Sequence, residues 1–146
     1  MGVCRSSPWM PEESIVSKVR IVLADDHREI ASIVRSTLGE DFEIVAAVED
    51  GRMALDAVLA LDPDILITDI SMPVMDGLQL AGQLKRSHSR TKTIVLTMHQ
   101  DSYFIAAAMS LGVSGYVTKT LMSSDLVFAI EDALKGNVFI SGSTPH

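Results

Sequence analysis

Five polar side chains stand at the ends of four apolar runs in this 146-residue chain, and together they could transfer a phosphoryl group. Asp25 and Asp26 follow VRIVLA, Asp69 follows DILIT, Thr97 closes TIVLT, and Lys119 follows SGYVT. Carboxylate oxygens are the ligands that Mg²⁺ prefers, with phosphate and water completing its octahedron. A carboxylate beside such a cation can attack phosphorus and form an acyl phosphate. A lysine and a threonine can then neutralise the phosphoryl oxygens and donate a hydrogen bond to them.

The elements that must position these residues form a repeating pattern. Short apolar runs alternate with amphipathic segments five times, which predicts five strands, each followed by a helix. Because the strands are apolar on both sides, we expect an α/β fold with a five-stranded parallel sheet and five helices covering both faces. In such sheets, ligands bind outside the carboxyl ends of the strands. The five polar side chains are therefore expected to meet on one rim.

Each of these residues taken singly also has an ordinary structural interpretation. An aspartate after a strand is usually a turn former or a helix cap. Asp76 keeps that interpretation, because Gln79 stands three residues later in a capping-box pattern. A threonine in a strand is a good strand former. It is the order of the set (acid pair, acid, threonine, lysine) at four strand ends that points to chemistry.

Composition excludes several function classes. The net charge of −7 argues against this chain gripping nucleic acid by itself. Cys4 is the single cysteine, which excludes an internal disulfide and suits a cytoplasmic location. No apolar run reaches the roughly 18 residues that a membrane span needs, so no membrane partner is expected. Residues 1–17 lack the apolar core of a signal peptide and are predicted to be a disordered tail.

Four segments resemble the receiver domain of bacterial two-component response regulators. They are VLADDH, DILITDISMPVMDG, IVLTM and GVSGYVTK, and the resemblance covers residues 18–136. It implies a flavodoxin-like sheet with strand order 2-1-3-4-5. The segments LTMHQD and ALKGNVFIS look most like transcription regulators with a LuxR-type helix-turn-helix output domain. Residues 137–146 are therefore expected to begin a linker to an output domain that this chain does not contain.

The resemblance implies a role for each residue at the site. Asp69 would accept a phosphoryl group from the phosphohistidine of a sensor histidine kinase. Asp25, Asp26, Asp69 and the main-chain carbonyl of Ser71 would hold Mg²⁺, and Lys119 would pair with the phosphoryl group. Such a domain is a phosphoacceptor that promotes its own phosphorylation and dephosphorylation rather than an enzyme.

The resemblance also implies a conformational switch. Thr97 would move toward the phosphoryl group and Tyr116 would swing inward, which would promote homodimerisation; DNA would be bound only through the output domain. One position departs from the family pattern, and two others lie where the family varies its dephosphorylation rate. Thr120 stands where proline often follows the lysine, and Ser71 and His99 occupy positions where the family tunes dephosphorylation.

Other functions fit the sequence less well. A haloacid-dehalogenase-type phosphatase places a second aspartate two residues after its nucleophile on strand one, where this chain has His27 or Arg28. The glycine-rich motifs of nucleotide-binding enzymes do not follow strand one. A phosphorylation-independent interaction domain would not need the complete acid, threonine and lysine set. A stand-alone receiver that acts through protein contacts remains the alternative. The histidines, His27 and His99 included, are expected to be exposed and to form no zinc site.

Overall fold

A computed structural model describes residues 18–142 and shows strands alternating with helices. The strands are β1 Val19–Ala24, β2 Phe42–Val48, β3 Ile65–Thr68, β4 Lys92–Thr97, β5 Gly115–Thr118 and β6 Phe139–Ile140. The helices are α1 Arg28–Thr37, α2 Gly51–Leu61, α3 Gly77–Arg86, α4 Ser102–Ser110 and α5 Met122–Leu134. The predicted tail, residues 1–17, and the last predicted linker residues, 143–146, lie outside the described residues.

All strands pair in parallel, in the order β2-β1-β3-β4-β5-β6. The predicted order 2-1-3-4-5 is confirmed, but the predicted number of five strands is one too few. The extra strand, β6, lies within the residues assigned to a linker and places Phe139 opposite Gly115 and Ile140 opposite Tyr116. A strand of two residues is too short to show a periodicity in the sequence. Phe139 and Ile140 form a strand because they pair with the edge strand β5.

The sheet is buried on both faces, as its apolar strands predict. Ile21 and Leu23 of β1 pack into a cluster with α1 and α5. Val22 and Ala24, which alternate with them, face α2 and α3. All four side chains are at most 1% exposed. This two-sided packing leaves the strand ends as the place where polar groups can gather. Among the helices that the structure describes, none is long and apolar enough to cross a bilayer.

The loop between β3 and α3 is held in place by backbone contacts. The N–H of Gly77 donates to the carbonyl of Ile70 at 2.8 Å, which brings the start of α3 close to the end of β3. The predicted capping box is present: the Asp76 carboxylate accepts from the Gln79 N–H, and the Gln79 side chain accepts from the Asp76 N–H. Val74 in this loop has φ of 72°, an uncommon conformation for a β-branched residue.

Candidate functional site

Two buried aspartates emerge side by side where β1 and β3 end. Ala24 is opposite Thr68 in the register of these strands, so the next residues, Asp25 and Asp69, lie together on the rim. The Asp69 N–H donates to the Ala24 carbonyl at 3.0 Å, and one carboxylate oxygen of Asp69, Oδ1, accepts from the Ile70 N–H at 2.7 Å. Asp25 is 8% exposed and Asp69 is 3% exposed.

Lys119 reaches both buried carboxylates from the first position of a 3-10 turn, Lys119–Leu121, that follows β5. Its Nζ lies 2.9 Å from Asp69 Oδ2 and 2.9 Å from Asp25 Oδ2, and its side chain is 5% exposed. Burial alone would lower the pKa of Lys119, but the contacts with Asp25 and Asp69 outweigh burial and raise that pKa above its ordinary value. The lysine is therefore held as an ammonium ion beside Asp69.

The acidic groups form a cluster that suits a cation. Asp25, Asp26, His27 and Asp69 each offer a ligand atom, and these atoms lie within 4.8 Å of one another. Asp25 Oδ2 is buried and is paired with the ammonium group of Lys119 at 2.9 Å. The Asp26 side chain is 38% exposed and opens the cluster to solvent. Three carboxylates gathered around one ammonium group leave excess negative charge at this rim, which fits a bound hard cation.

The two predicted switch residues meet at the backbone of His99. Thr97, which is fully buried at the end of β4, accepts a hydrogen bond from the His99 N–H through its hydroxyl at 3.3 Å. The Tyr116 hydroxyl donates to the His99 carbonyl at 2.8 Å, and its side chain is fully buried. Burial raises the pKa of Tyr116 to about 12, and the charges of Asp101 and Asp69 act in the same direction. Tyr116 thus already occupies an inward position.

Ser71 lies near the acidic cluster, and His27 is a member of it. Ser71 is exposed in the loop after Asp69, and its hydroxyl lies 3.5 Å from His99 Nε2. His27 was expected only to be exposed, and its side chain is indeed 52% exposed, yet its Nδ1 lies 2.8 Å from Asp25 Oδ1. That hydrogen bond raises the pKa of His27, against the opposing charge of Lys119. The sequence signal that could have indicated this contact is the position of His27 directly after the acid pair Asp25 and Asp26.

Comparison with known proteins agrees with this geometry. The family model of the response regulator receiver domain matches residues 21–131, which is most of the chain. This chain belongs to the response regulator receiver domain family. The receiver is 30% identical to the transcriptional regulatory protein DegU of Brevibacillus brevis over 94% of this chain and 59% of DegU.

Solved structures show the same fold in related regulators. The isolated receiver domain of RcsB from Salmonella enterica serovar Typhimurium, determined with the phosphomimetic BeF₃⁻, has a TM-score of 0.79 and 31% identity, covering 87% of this chain and 96% of that one. A structure of two RcsB dimers bound to two parallel DNAs has the same TM-score and identity, covering 87% of this chain and 66% of that one. The receiver spans less than two thirds of the length of DegU.

Proposed function

We propose that Asp69 accepts a phosphoryl group from the phosphohistidine of a sensor histidine kinase. In this step an Asp69 carboxylate oxygen bonds to phosphorus, the phosphorus–nitrogen bond breaks, and the histidine leaves with the electron pair and takes up a proton. One observation carries the proposal: Asp69 is buried on the rim with a protonated lysine 2.9 Å from Oδ2. The ammonium group of Lys119 offsets negative charge on the transferred group without having to move far.

We infer that the acidic cluster holds Mg²⁺ during this transfer. Asp25, Asp26, Asp69 and the main-chain carbonyl of Ser71 would supply the oxygen ligands, and the excess of three carboxylates over the ammonium group of Lys119 supports this assignment. The cation would neutralise part of the charge on the phosphoryl oxygens. The residues of this chain fix the direction of attack: Ile70 holds one oxygen of Asp69 through its N–H, and Lys119 holds the other.

The proposed switch uses the two contacts at His99. When Asp69 carries a phosphoryl group, the Thr97 hydroxyl would leave the His99 N–H and donate to a phosphoryl oxygen. Tyr116 would stabilise the inward arrangement that this structure already has, through its bond to the His99 carbonyl. The inward position of Tyr116 is already present in this structure. Phosphorylation would therefore increase the population of molecules with Tyr116 inward rather than create that position.

The longer protein is proposed to regulate transcription. DegU is named a transcriptional regulatory protein, and the receiver matches 59% of its length. We propose that a LuxR-type DNA-binding output domain follows a linker beyond β6, and that phosphorylation favours a homodimer of the longer protein. DNA would be bound only by that output domain, since the 146-residue sequence carries a net charge of −7 and would be repelled by the DNA phosphates. The cytoplasmic location expected from the sequence remains a prediction.

Labelling with acetyl phosphate and Mg²⁺ tests the assignment of Asp69. We expect Asp69→Asn to abolish acid-stable, hydroxylamine-sensitive label, because an amide oxygen cannot form the acyl phosphate. Asp76→Asn is the matched control: it removes a carboxylate seven residues away, and asparagine caps a helix as well as aspartate does. Equal label in the wild type and the Asp69→Asn variant would refute the proposal.

The same label tests whether the receiver promotes its own dephosphorylation. If it does, label on the folded chain decays faster than label on the same chain unfolded in urea. Equal decay rates in the two states would show that hydrolysis is not assisted by the fold. Substitution of His99, which lies beside Ser71, is expected to change only the rate for the folded chain.

A further inference from the structure

A basic patch lies at the opposite end of the sheet from the acidic cluster, where β4 begins. Residues 77–100 contain no aspartate or glutamate, in a chain whose net charge is −7. Four of the twelve lysines and arginines of the chain fall within this range, and all four are exposed: Lys85, Arg86, Arg90 and Lys92. Within the part of the chain that the structure describes, the carboxylate of Asp62, 3.5 Å from Arg90, is the only one that pairs with the patch. Three of its four cations therefore have no carboxylate partner among these described residues.

Three of these cations surround a cavity with an apolar floor. Lys85, Arg90 and Lys92 line a cavity of about 580 Å³ between the end of α3, the start of β4 and the start of β5. Its lining also includes four apolar side chains from α3 and from the loop before β5: Ala81, Leu84, Leu111 and Val113. The volume lies within the range of about 300 to 1,000 Å³ that is usual for ligand pockets. A ligand with apolar groups beside negative charge would fit both parts of this surface.

Local structure explains only part of the basic patch. Lys85 and Arg86 lie in the last turn of α3, where positive side chains offset the negative end of the helix dipole. Lys85 Nζ also donates to the Ser110 carbonyl at 3.4 Å. Arg90 and Lys92 lie beyond the helix, and the side chain of Arg90 is 88% exposed. Those two cations are therefore the ones most available to a ligand.

The chain contains a segment with this chemistry outside the described residues. Trp9 and Met10 are apolar, and Glu12 and Glu13 follow them. The sequence predicts that residues 1–17 have no fold of their own, and such a segment can become ordered when it binds. The apolar pair matches the floor of the cavity, and the two carboxylates match its cationic rim.

The tail also joins the sheet at the end where the cavity lies. Lys92 lies two strands from Ile21, because each of them pairs with Ile65. Two strand spacings amount to about 10 Å. The segment from Glu13 to Val19 can span about 20 Å when extended, so its carboxylates can reach the cavity. The chain after β6 leaves from the opposite rim, because β6 runs parallel to β5.

We propose that the segment from Trp9 to Glu13 occupies the cavity of its own chain, with its apolar side chains on the floor and its carboxylates paired with Arg90 and Lys92. Exposed ion pairs are individually weak. A short tether compensates for that weakness, because it holds the segment at a high effective concentration beside the cavity. The contact is remote from Asp69, so it does not depend on the proposed function.

Fluorescence of Trp9 in the full chain reports this contact directly, because the chain has no other tryptophan. The wild type should emit at a shorter wavelength than N-acetyltryptophanamide, a model of an exposed side chain, and acrylamide should quench it less. The tail variant, Glu12→Gln with Glu13→Gln, should lower the ratio of bound to free tail by about fivefold, since each exposed ion pair contributes a factor of about two or more. The matched control, Glu40→Gln with Glu43→Gln, removes two exposed carboxylates elsewhere and should leave the emission unchanged.

Charge reversal distinguishes direct pairing from a general effect of charge. Arg90→Glu with Lys92→Glu should release the tail, and adding Glu12→Lys with Glu13→Lys should restore the protection of Trp9 from acrylamide. Equal quenching of the wild type and the Arg90→Glu, Lys92→Glu variant would overturn the proposal, and so would a fourfold variant that stays unprotected. Emission that varies with protein concentration would show binding between copies and would refute binding within one chain.

Discussion

Replacing Gly77 with alanine should lower the stability of the fold and displace the backbone of Asp69 at the site. Gly77 opens α3, and a Cβ there would collide with the carbonyl oxygen of Asp69 and lie 2.9 Å from its carbonyl carbon. The obstacle is backbone, which cannot rotate away as a side chain can. Its position is also held, since the Asp69 N–H is bonded to Ala24 and the Ile70 carbonyl accepts from Gly77 itself. We expect a loss of stability of about 3 kcal/mol, the upper end of the range for overpacking.

Gly82 supplies the matched control within the same helix. A Cβ at Gly82 would meet only side-chain ends, with the Leu111 methyl nearest at 3.7 Å, an ordinary contact. Gly82→Ala should therefore stabilise the chain by up to about 1 kcal/mol through helix propensity. Urea unfolding followed by far-ultraviolet circular dichroism measures both variants. If Gly77→Ala unfolds within about 0.5 kcal/mol of the wild type, the close approach of the two backbones does not constrain the site as argued.

Three other perturbations follow from single features of the structure. Val74→Gly should raise stability by about 1 kcal/mol in the same urea assay, because it relieves a positive φ at a residue that is 79% exposed; a loss would show that the valine is not strained. The Tyr116 hydroxyl should ionise near pH 12, as the ultraviolet difference between wild type and Tyr116→Phe will show, and ionisation near pH 10 would contradict its burial. Since the pKa is raised by folding, Tyr116 contributes stability below pH 10 that is lost as the pH rises toward 12. Ser141→Ala removes the 2.8 Å bond to Asp125 and should speed amide exchange at the end of β6, whereas unchanged exchange would mean that this bond does not hold the strand.

Most of the fold could be predicted because each element carries local signals. The capping box at Asp76 and Gln79 marks the start of α3 in the sequence and is present in the structure. The strand sequences do not show which residues face which layer of helices, because nearly all of their residues are apolar. Strands that are apolar on both sides do imply a parallel sheet covered by helices on both faces. Strand β6 could not be predicted, because its two residues become a strand only by pairing with β5.

The candidate site was predictable as far as the strand ends determine it. The rule that ligands gather at the carboxyl ends of parallel strands places Asp25, Asp69 and Lys119 together, and the structure brings them within ion-pair distance. That rule does not determine the side-chain conformations at the site. The inward position of Tyr116 depends on a hydroxyl contact with the His99 carbonyl, and the position of His27 depends on a turn over the Asp25 carboxylate. Both are set by contacts made only after folding.

The charge balance of the site would link cation binding to the proposed phosphorylation of Asp69. Within residues 18–142, the carboxylates of Asp25, Asp26 and Asp69 face the ammonium group of Lys119 and the half-exposed imidazole of His27. The excess negative charge favours a bound cation, which at ten times its dissociation constant stabilises the fold by about 1.4 kcal/mol. Conversion of Asp69 to an acyl phosphate would replace its single carboxylate charge with the about −1.5 to −2 that a phosphoryl group carries near neutral pH, so the negative charge at this place would rise. Cation binding and phosphorylation would then strengthen each other by the same factor, because coupling between two equilibria is reciprocal.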